Sequence, residues 1–144
     1  MIIRTHGDMF DGHYDALINP VNCVGVMGKG LALEFKKRYP EMYEGCRKAC
    51  SDWNFHPGDL YLYRYEDVAI ICFPTKDHWR DPSKLEYIEH GLKELRGYLA
   101  KKPNIRSVAV PKLGCGLGGL DWADVFPIVE RELGGLDTEV YVFE

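Results

Sequence analysis

The chain has 144 residues, one domain's length by the usual span of roughly 100–200 residues. Its 18 lysines and arginines against 22 aspartates and glutamates give a net charge of −4 and a pI near 5.7. That balance excludes a protein that coats nucleic acid by bulk charge, but leaves room for a pocket that takes a single nucleotide. The 46% hydrophobic content is too apolar for a disordered chain. No apolar run approaches the roughly 18–20 residues of a membrane span, and residues 1–4 lack the charged-then-apolar shape of a signal peptide. The scattered cysteines (Cys23, Cys46, Cys50, Cys72, Cys115) contain no C-x-x-C pair, a pattern of reduced cytoplasmic thiols rather than a disulfide frame or a zinc site.

Residues 2–6 and 16–20 are short apolar runs that read as buried strands. From Met27 to Tyr39 the period turns helical, with Ala32, Phe35 and Tyr39 on one face and Pro40 as the stop. Met42, Cys46, Ala49 and Cys50 carry a second short helix. Residues 59–65 and 68–73 read as a hairpin turning at Glu66-Asp67. Leu85, Ile88, Leu92, Leu95 and Leu99 mark the clearest helix, with Ser83 and Glu86 in capping-box spacing at its start. A compact strand over residues 107–110 ends at Pro111. A last helix begins at Asp121, puts Trp122, Val125, Phe126, Val129 and Leu133 on one face, and stops at Gly134-Gly135 before a closing strand over 139–143. Strands alternating with helices, in a chain without repeats or linkers, predict a single α/β domain with a mostly parallel sheet. Such sheets hold ligands at the carboxyl ends of their strands.

Three loops fall at those ends. Residues 22–30 carry Gly25, Gly28 and Gly30 between a strand and a helix, so backbone N–H groups can approach an anionic ligand beside a helix amino terminus. Residues 111–119 repeat the arrangement with Gly114, Gly116, Gly118 and Gly119. One such loop alone reads equally as a plain connector; two at strand carboxyl ends, each feeding a helix amino terminus, can hold a diphosphate between them. Neither is G-x-G-x-x-G nor a Walker loop. The third loop, residues 73–80, sets Lys76 among Phe73, Asp77, His78, Trp79 and Arg80. It reads as a solvated loop capping the core, or as a lysine at a pocket mouth available for nucleophilic chemistry. The histidines are dispersed and no cluster has metal-ligand spacing, so no metal and no cofactor are expected.

Taken together, these pieces resemble the macrodomain family, over nearly the whole chain. That likeness implies a three-layer α/β/α domain over residues 1–144, with a mixed, mostly parallel central sheet and ADP-ribose as ligand. His6-Gly7-Asp8-Met9-Phe10 is similar to the family's first-strand motif, in which Asp8 would read the adenine amino group; otherwise Asp8 is a turn aspartate. Residues 16–22 are similar to the second-strand motif, with Asn22 at the distal ribose or, alternatively, closing its own turn. The resemblance places Met9, Val26, Met27, Gly28, Gly30, Leu31, Thr75, Gly114, Cys115, Gly116, Leu117, Gly118 and Gly119 around the ligand.

Within the family, residues 21–30, the Thr75-Lys76 step and residues 113–122 resemble the branch of DarG-type antitoxins and the terminal ADP-ribose glycohydrolase. In that branch the lysine matching Lys76 is catalytic. The protein-directed enzyme also uses an aspartate after the G-C-G-L run; Gly118 stands there in this chain, and Asp121 reads as a helix cap. The resemblance therefore implies a cytoplasmic, monomeric glycohydrolase that removes ADP-ribose from thymidine in single-stranded DNA. Lys76 and Asn22 would be its catalytic pair, and a DarT-like toxin its counterpart. The alternatives are a hydrolase of ADP-ribosyl-glutamate or O-acetyl-ADP-ribose and, in another class, a non-catalytic ADP-ribose reader. Lys76 would either attack the anomeric carbon or assist the departing base. Lys29, Lys76, Arg80 and Lys112 form a local basic rim, which predicts weak binding to unmodified DNA and a shallow salt dependence. His78 reads first as a solvated loop residue and second as a contact to the base or to a DNA phosphate.

Overall fold

A computed structural model describes residues 1–144. The strands β1 (Ile2–Thr5), β2 (Ala16–Asn22), β3 (Tyr61–Tyr65), β4 (Val68–Lys76), β5 (Ser107–Val110) and β6 (Glu139–Phe143) form one sheet in the order β1-β6-β5-β2-β4-β3. Every pairing is parallel except that of the edge strand β3 with β4. The helices are α1 (Gly30–Arg38), α2 (Pro40–Asp52), α3 (Leu85–Ala100) and α4 (Trp122–Leu133).

Strands buried on both faces read as unbroken apolar runs, and each face takes alternate residues. Ala16 and Ile18 of β2, with Ala69, Ile71 and Phe73 of β4, pack under α3 and α4 through Ile88, Leu92, Leu95, Val125, Val129 and Leu133. Leu17 and Val21, with Ile70 and Cys72, pack on the other face against Phe35 of α1 and Met42 and Cys46 of α2. The result is the three-layer α/β/α architecture with a mixed, mostly parallel sheet. No helix is long and apolar enough to cross a membrane.

Local departures from the expected elements all lie at the functional end. Helix α1 starts at Gly30 rather than at Met27, because Met27 is 1% exposed and plugs the core beneath the loop. The Ser83–Glu86 capping box does not form. Lys84 is the N-cap of α3 and makes no side-chain cap bond, while the Ser83 N–H is taken by the Gly118 carbonyl at 2.9 Å and its hydroxyl is buried without a partner. Asp121 does cap α4, accepting from the Ala123 N–H at 3.0 Å. β2 and β4 run two and three residues further than their apolar runs suggest, to Asn22 and Lys76. Their Pro20 and Pro74 sit where β5 and β3 have already ended, so the missing N–H groups break no ladder bond.

Candidate functional site

Beyond β5 and β3, the tips of β2 and β4 stand as a two-strand ribbon, and a bulge occupies its end. Val21 pairs with Pro74, but Asn22 pairs with Lys76. Thr75 is therefore the extra residue on β4, and such insertions re-aim the side chain that follows. Thr75 itself turns inward at 6% exposure. The bulge thus brings Lys76 beside Asn22, although 53 residues of chain separate them.

Asn22 organises the loop that follows it. Its Oδ1 accepts from the N–H groups of Val24 (3.1 Å) and Val26 (3.2 Å), and its Nδ2 donates to the Val26 carbonyl at 2.7 Å. A second tie, from the Cys23 N–H to the Asp77 carbonyl at 3.1 Å, joins this loop to the one carrying Lys76. With those bonds made, the N–H groups of Met27, Gly28 and Lys29 have no partner within the protein. They are the open donors that a helix amino terminus leaves, here at the start of α1, where partial positive charge favours an anion.

The second glycine loop faces the first. Residues Gly116–Gly118 form a 3-10 turn, with Gly114, Gly116 and Gly119 at positive φ, a backbone that suits glycine. A Cβ on Gly30 would lie 3.7 Å from Leu117 Cδ1, and one on Gly118 would lie 4.0 Å from Lys76 Cε. The loop thus spans from the start of α1 to the lysine. The N–H groups of Gly116 and Leu117 are also without partners. Leu117 and Val26 are exposed at 67% and 42%, two apolar side chains at the rim of the gap between the loops.

From Gly30 the groove continues into a cleft of about 500 Å³ lined by Asp8, Met9, Phe10, Gly30, Leu31, Glu34, Arg38, Pro111 and Phe143. Asp8 caps a 3-10 turn over Met9–Asp11, one oxygen accepting from the Phe10 N–H at 2.9 Å; the other has no partner in the protein. Arg38 lies over the Phe10 ring at 4.2 Å.

The structure thus brings the expected residues into two groups, Asp8, Met9, Gly30 and Leu31 lining the cleft and Asn22, Thr75, Lys76 and Gly118 meeting at the bulge, with the glycine loops between them. Met9, Met27 and Thr75 are buried, so they offer backbone groups rather than side chains. Phe10, Glu34, Arg38 and Phe143 were not foreseen. Phe143, ending β6, was legible from the strand-end rule; Glu34 and Arg38, one helical turn apart, become neighbours of Phe10 only through the fold.

The two thiols at the site are held toward their protonated form. Burial pushes the Cys23 thiol up to about 12, and burial likewise raises that of Cys115, which outweighs the opposing effect of Lys112. A thiolate is the reactive form of cysteine, so neither thiol competes with Lys76 as a nucleophile. Its Nζ donates to the Trp79 carbonyl at 3.3 Å.

An α/β domain with two facing glycine loops at its strand ends, each with open N–H donors, has the backbone chemistry that suits an anion. The family model for the macro domain matches residues 18–129, and the chain belongs to that family. It is 50% identical over 129 residues to the DNA ADP-ribosyl glycohydrolase of Mycobacterium tuberculosis strain H37Rv, covering 87% of this chain and 36% of that protein. The macrodomain of Thermus aquaticus DarG superposes with a TM-score of 0.92 at 40% identity, covering 100% of this chain and 98% of that one. Thermosipho africanus DarTG, solved in complex with ADP-ribose, also superposes with a TM-score of 0.92, at 38% identity over 99% of this chain and 41% of that one. The chain spans well under half the length of the curated relatives it matches, 36% and 41% for the M. tuberculosis and T. aquaticus proteins.

Proposed function

We propose that this macro domain hydrolyses the N-glycosidic bond between ADP-ribose and a thymine base in single-stranded DNA. The observation that carries the proposal is the Thr75 bulge, which sets Lys76 next to Asn22 and under the side-chain-free Gly118. Support comes also from the likeness to DNA ADP-ribosyl glycohydrolases at 41–50% identity.

In the proposed binding mode the adenine end lies in the cleft against Asp8 and Phe143, and the diphosphate crosses the free N–H groups of the two loops. The distal ribose then reaches Asn22 and Lys76. Hydrolysis breaks the carbon–nitrogen bond to thymine; water gives its oxygen to the anomeric carbon and its proton ends on the base. Lys76 serves by one of two routes sharing this geometry: attack on the anomeric carbon, forming an adduct that water resolves, or proton donation to the departing base. Borohydride trapping of a Lys76 adduct during turnover marks the first route. Neither route calls on a metal or a cofactor. The setting proposed is a cytoplasmic monomer whose counterpart is the DarT-like transferase that attaches ADP-ribose to DNA.

Side-by-side turnover of an ADP-ribosylated oligonucleotide and an ADP-ribosylated protein tests the substrate. Release from the oligonucleotide with little from the protein is expected. The reverse preference refutes the proposal, as does tight ADP-ribose binding without turnover of either.

A further inference from the structure

Trp79 is 46% exposed, the largest apolar side chain in its loop. It is not loosely held. The His78 ring stacks against it with centroids 5.4 Å apart and an interplanar angle of 31°, and the Arg80 guanidinium lies 4.7 Å from its ring centroid. The His78 ring is fixed in turn, accepting at Nδ1 from the Arg80 N–H at 3.1 Å. Three consecutive residues therefore form a small platform of two π-faces and a cation.

The platform is fastened to the reacting end of the groove. The Trp79 carbonyl receives Lys76 Nζ at 3.3 Å, and the Asp77 carbonyl receives the Cys23 N–H of the Asn22 loop. The aromatic face thus begins one residue's reach outward from the lysine. In the proposed binding mode the modified base lies at the lysine, and Trp79, whose carbonyl the lysine reaches, is the exposed aromatic ring next to it.

We infer that the His78–Trp79–Arg80 platform is the strand-binding face of the domain, stacking a base that flanks the modified thymidine while Arg80 meets an adjacent phosphate. The inference rests on the DNA reading of the site. An aromatic ring beside an arginine is the usual recipe for single strands, because every base offers a π-face. Charge adds little to this choice. Asp77 and Asp81 offset Arg80 and Lys84 within the loop, so stacking rather than bulk charge does the binding, as the −4 of the chain requires.

The test compares KM for two substrates, ADP-ribosyl-thymidine as a free nucleoside and a short single strand carrying the same modified base. Trp79→Ala raises the ratio of strand KM to nucleoside KM about 5- to 150-fold, the equivalent of ~1–3 kcal/mol of lost stacking. Trp79→Phe restores most of it, and ADP-ribose affinity, which reports a folded domain, holds in both. An unchanged ratio overturns the inference while leaving the DNA reading intact. A variant impaired on ADP-ribosylated protein but not on the strand assigns the platform to a protein partner and overturns it too. If the parent protein turns over neither DNA substrate, the function itself is refuted, and the inference with it.

Discussion

Replacing Asn22 by alanine removes three hydrogen bonds at once, to Val24 N–H, Val26 N–H and the Val26 carbonyl. At a net ~1 kcal/mol per bond, partly recovered by water because the loop is only part-buried, the loss is about 2–3 kcal/mol. For a chain of this size that corresponds to a fall in Tm of about 5–10 °C. The larger effect is on chemistry, since the loop presenting Met27, Gly28 and Lys29 N–H loses its anchor, and a small displacement of a reacting centre costs about 100-fold. Asn22→Asp separates the parts. It keeps the acceptors for Val24 and Val26 but sets an oxygen against the Val26 carbonyl in place of the 2.7 Å donor. Part of the stability returns, and turnover does not. Thermal melts, calorimetric titration with ADP-ribose and single-turnover release of ADP-ribose measure the three quantities. An Asn22→Ala protein that melts with the parent and turns over at the parent rate refutes the claim that this side chain builds the loop.

Gly118→Asp should be poorly tolerated, because its Cβ would overlap the Ser83 hydroxyl and lie 3.1 Å from Ser83 Cβ; adding Ser83→Gly should restore the lost Tm, and a single variant as stable as the parent contradicts the packing described. The Arg4 guanidinium, with help from Trp122, holds the Glu144 carboxyl at about 2 against an ordinary 4.5. Its contribution is therefore complete above pH about 4.5 and is lost as pH falls toward 2; the Tm gap between parent and Glu144→Gln should be widest near neutral pH and close in acid, and a gap independent of pH counts against the clamp. Native protein at mildly alkaline pH should alkylate slowly at Cys23, whose thiol sits at about 12; rapid labelling there refutes its burial.

The α/β layering was legible because β2 and β4 are buried on both faces and α3 and α4 carry long apolar stripes. The groove was legible in part, through two glycine loops at strand ends. What the sequence hid were contacts between distant segments. Ser83 matches a capping box in spacing, yet the Gly118 carbonyl takes its N–H, and no local rule weighs a competitor that far along the chain. Met27 fits the helical period but is drawn into the core, which delays α1 to Gly30. The Thr75 bulge has no mark in the apolar pattern, since Phe73, Pro74 and Thr75 are all buried in any case. An asparagine at this position suits either a ribose contact or a closed turn, and the hydrogen bonds of Asn22 close the loop.

Lys76→Ala bears most directly on the account. The lysine reaches only the Trp79 carbonyl at 3.3 Å, while the donors free for the diphosphate are backbone N–H groups of other residues. ADP-ribose affinity should therefore stay within about tenfold of the parent, roughly 1.4 kcal/mol, while release of ADP-ribose from thymidine-modified single-stranded DNA falls by orders of magnitude. An alanine variant that binds ADP-ribose normally and still clears the modified strand at the parent rate would show that the bulge positions a bystander, and the assignment of the chemistry to Lys76 would be wrong.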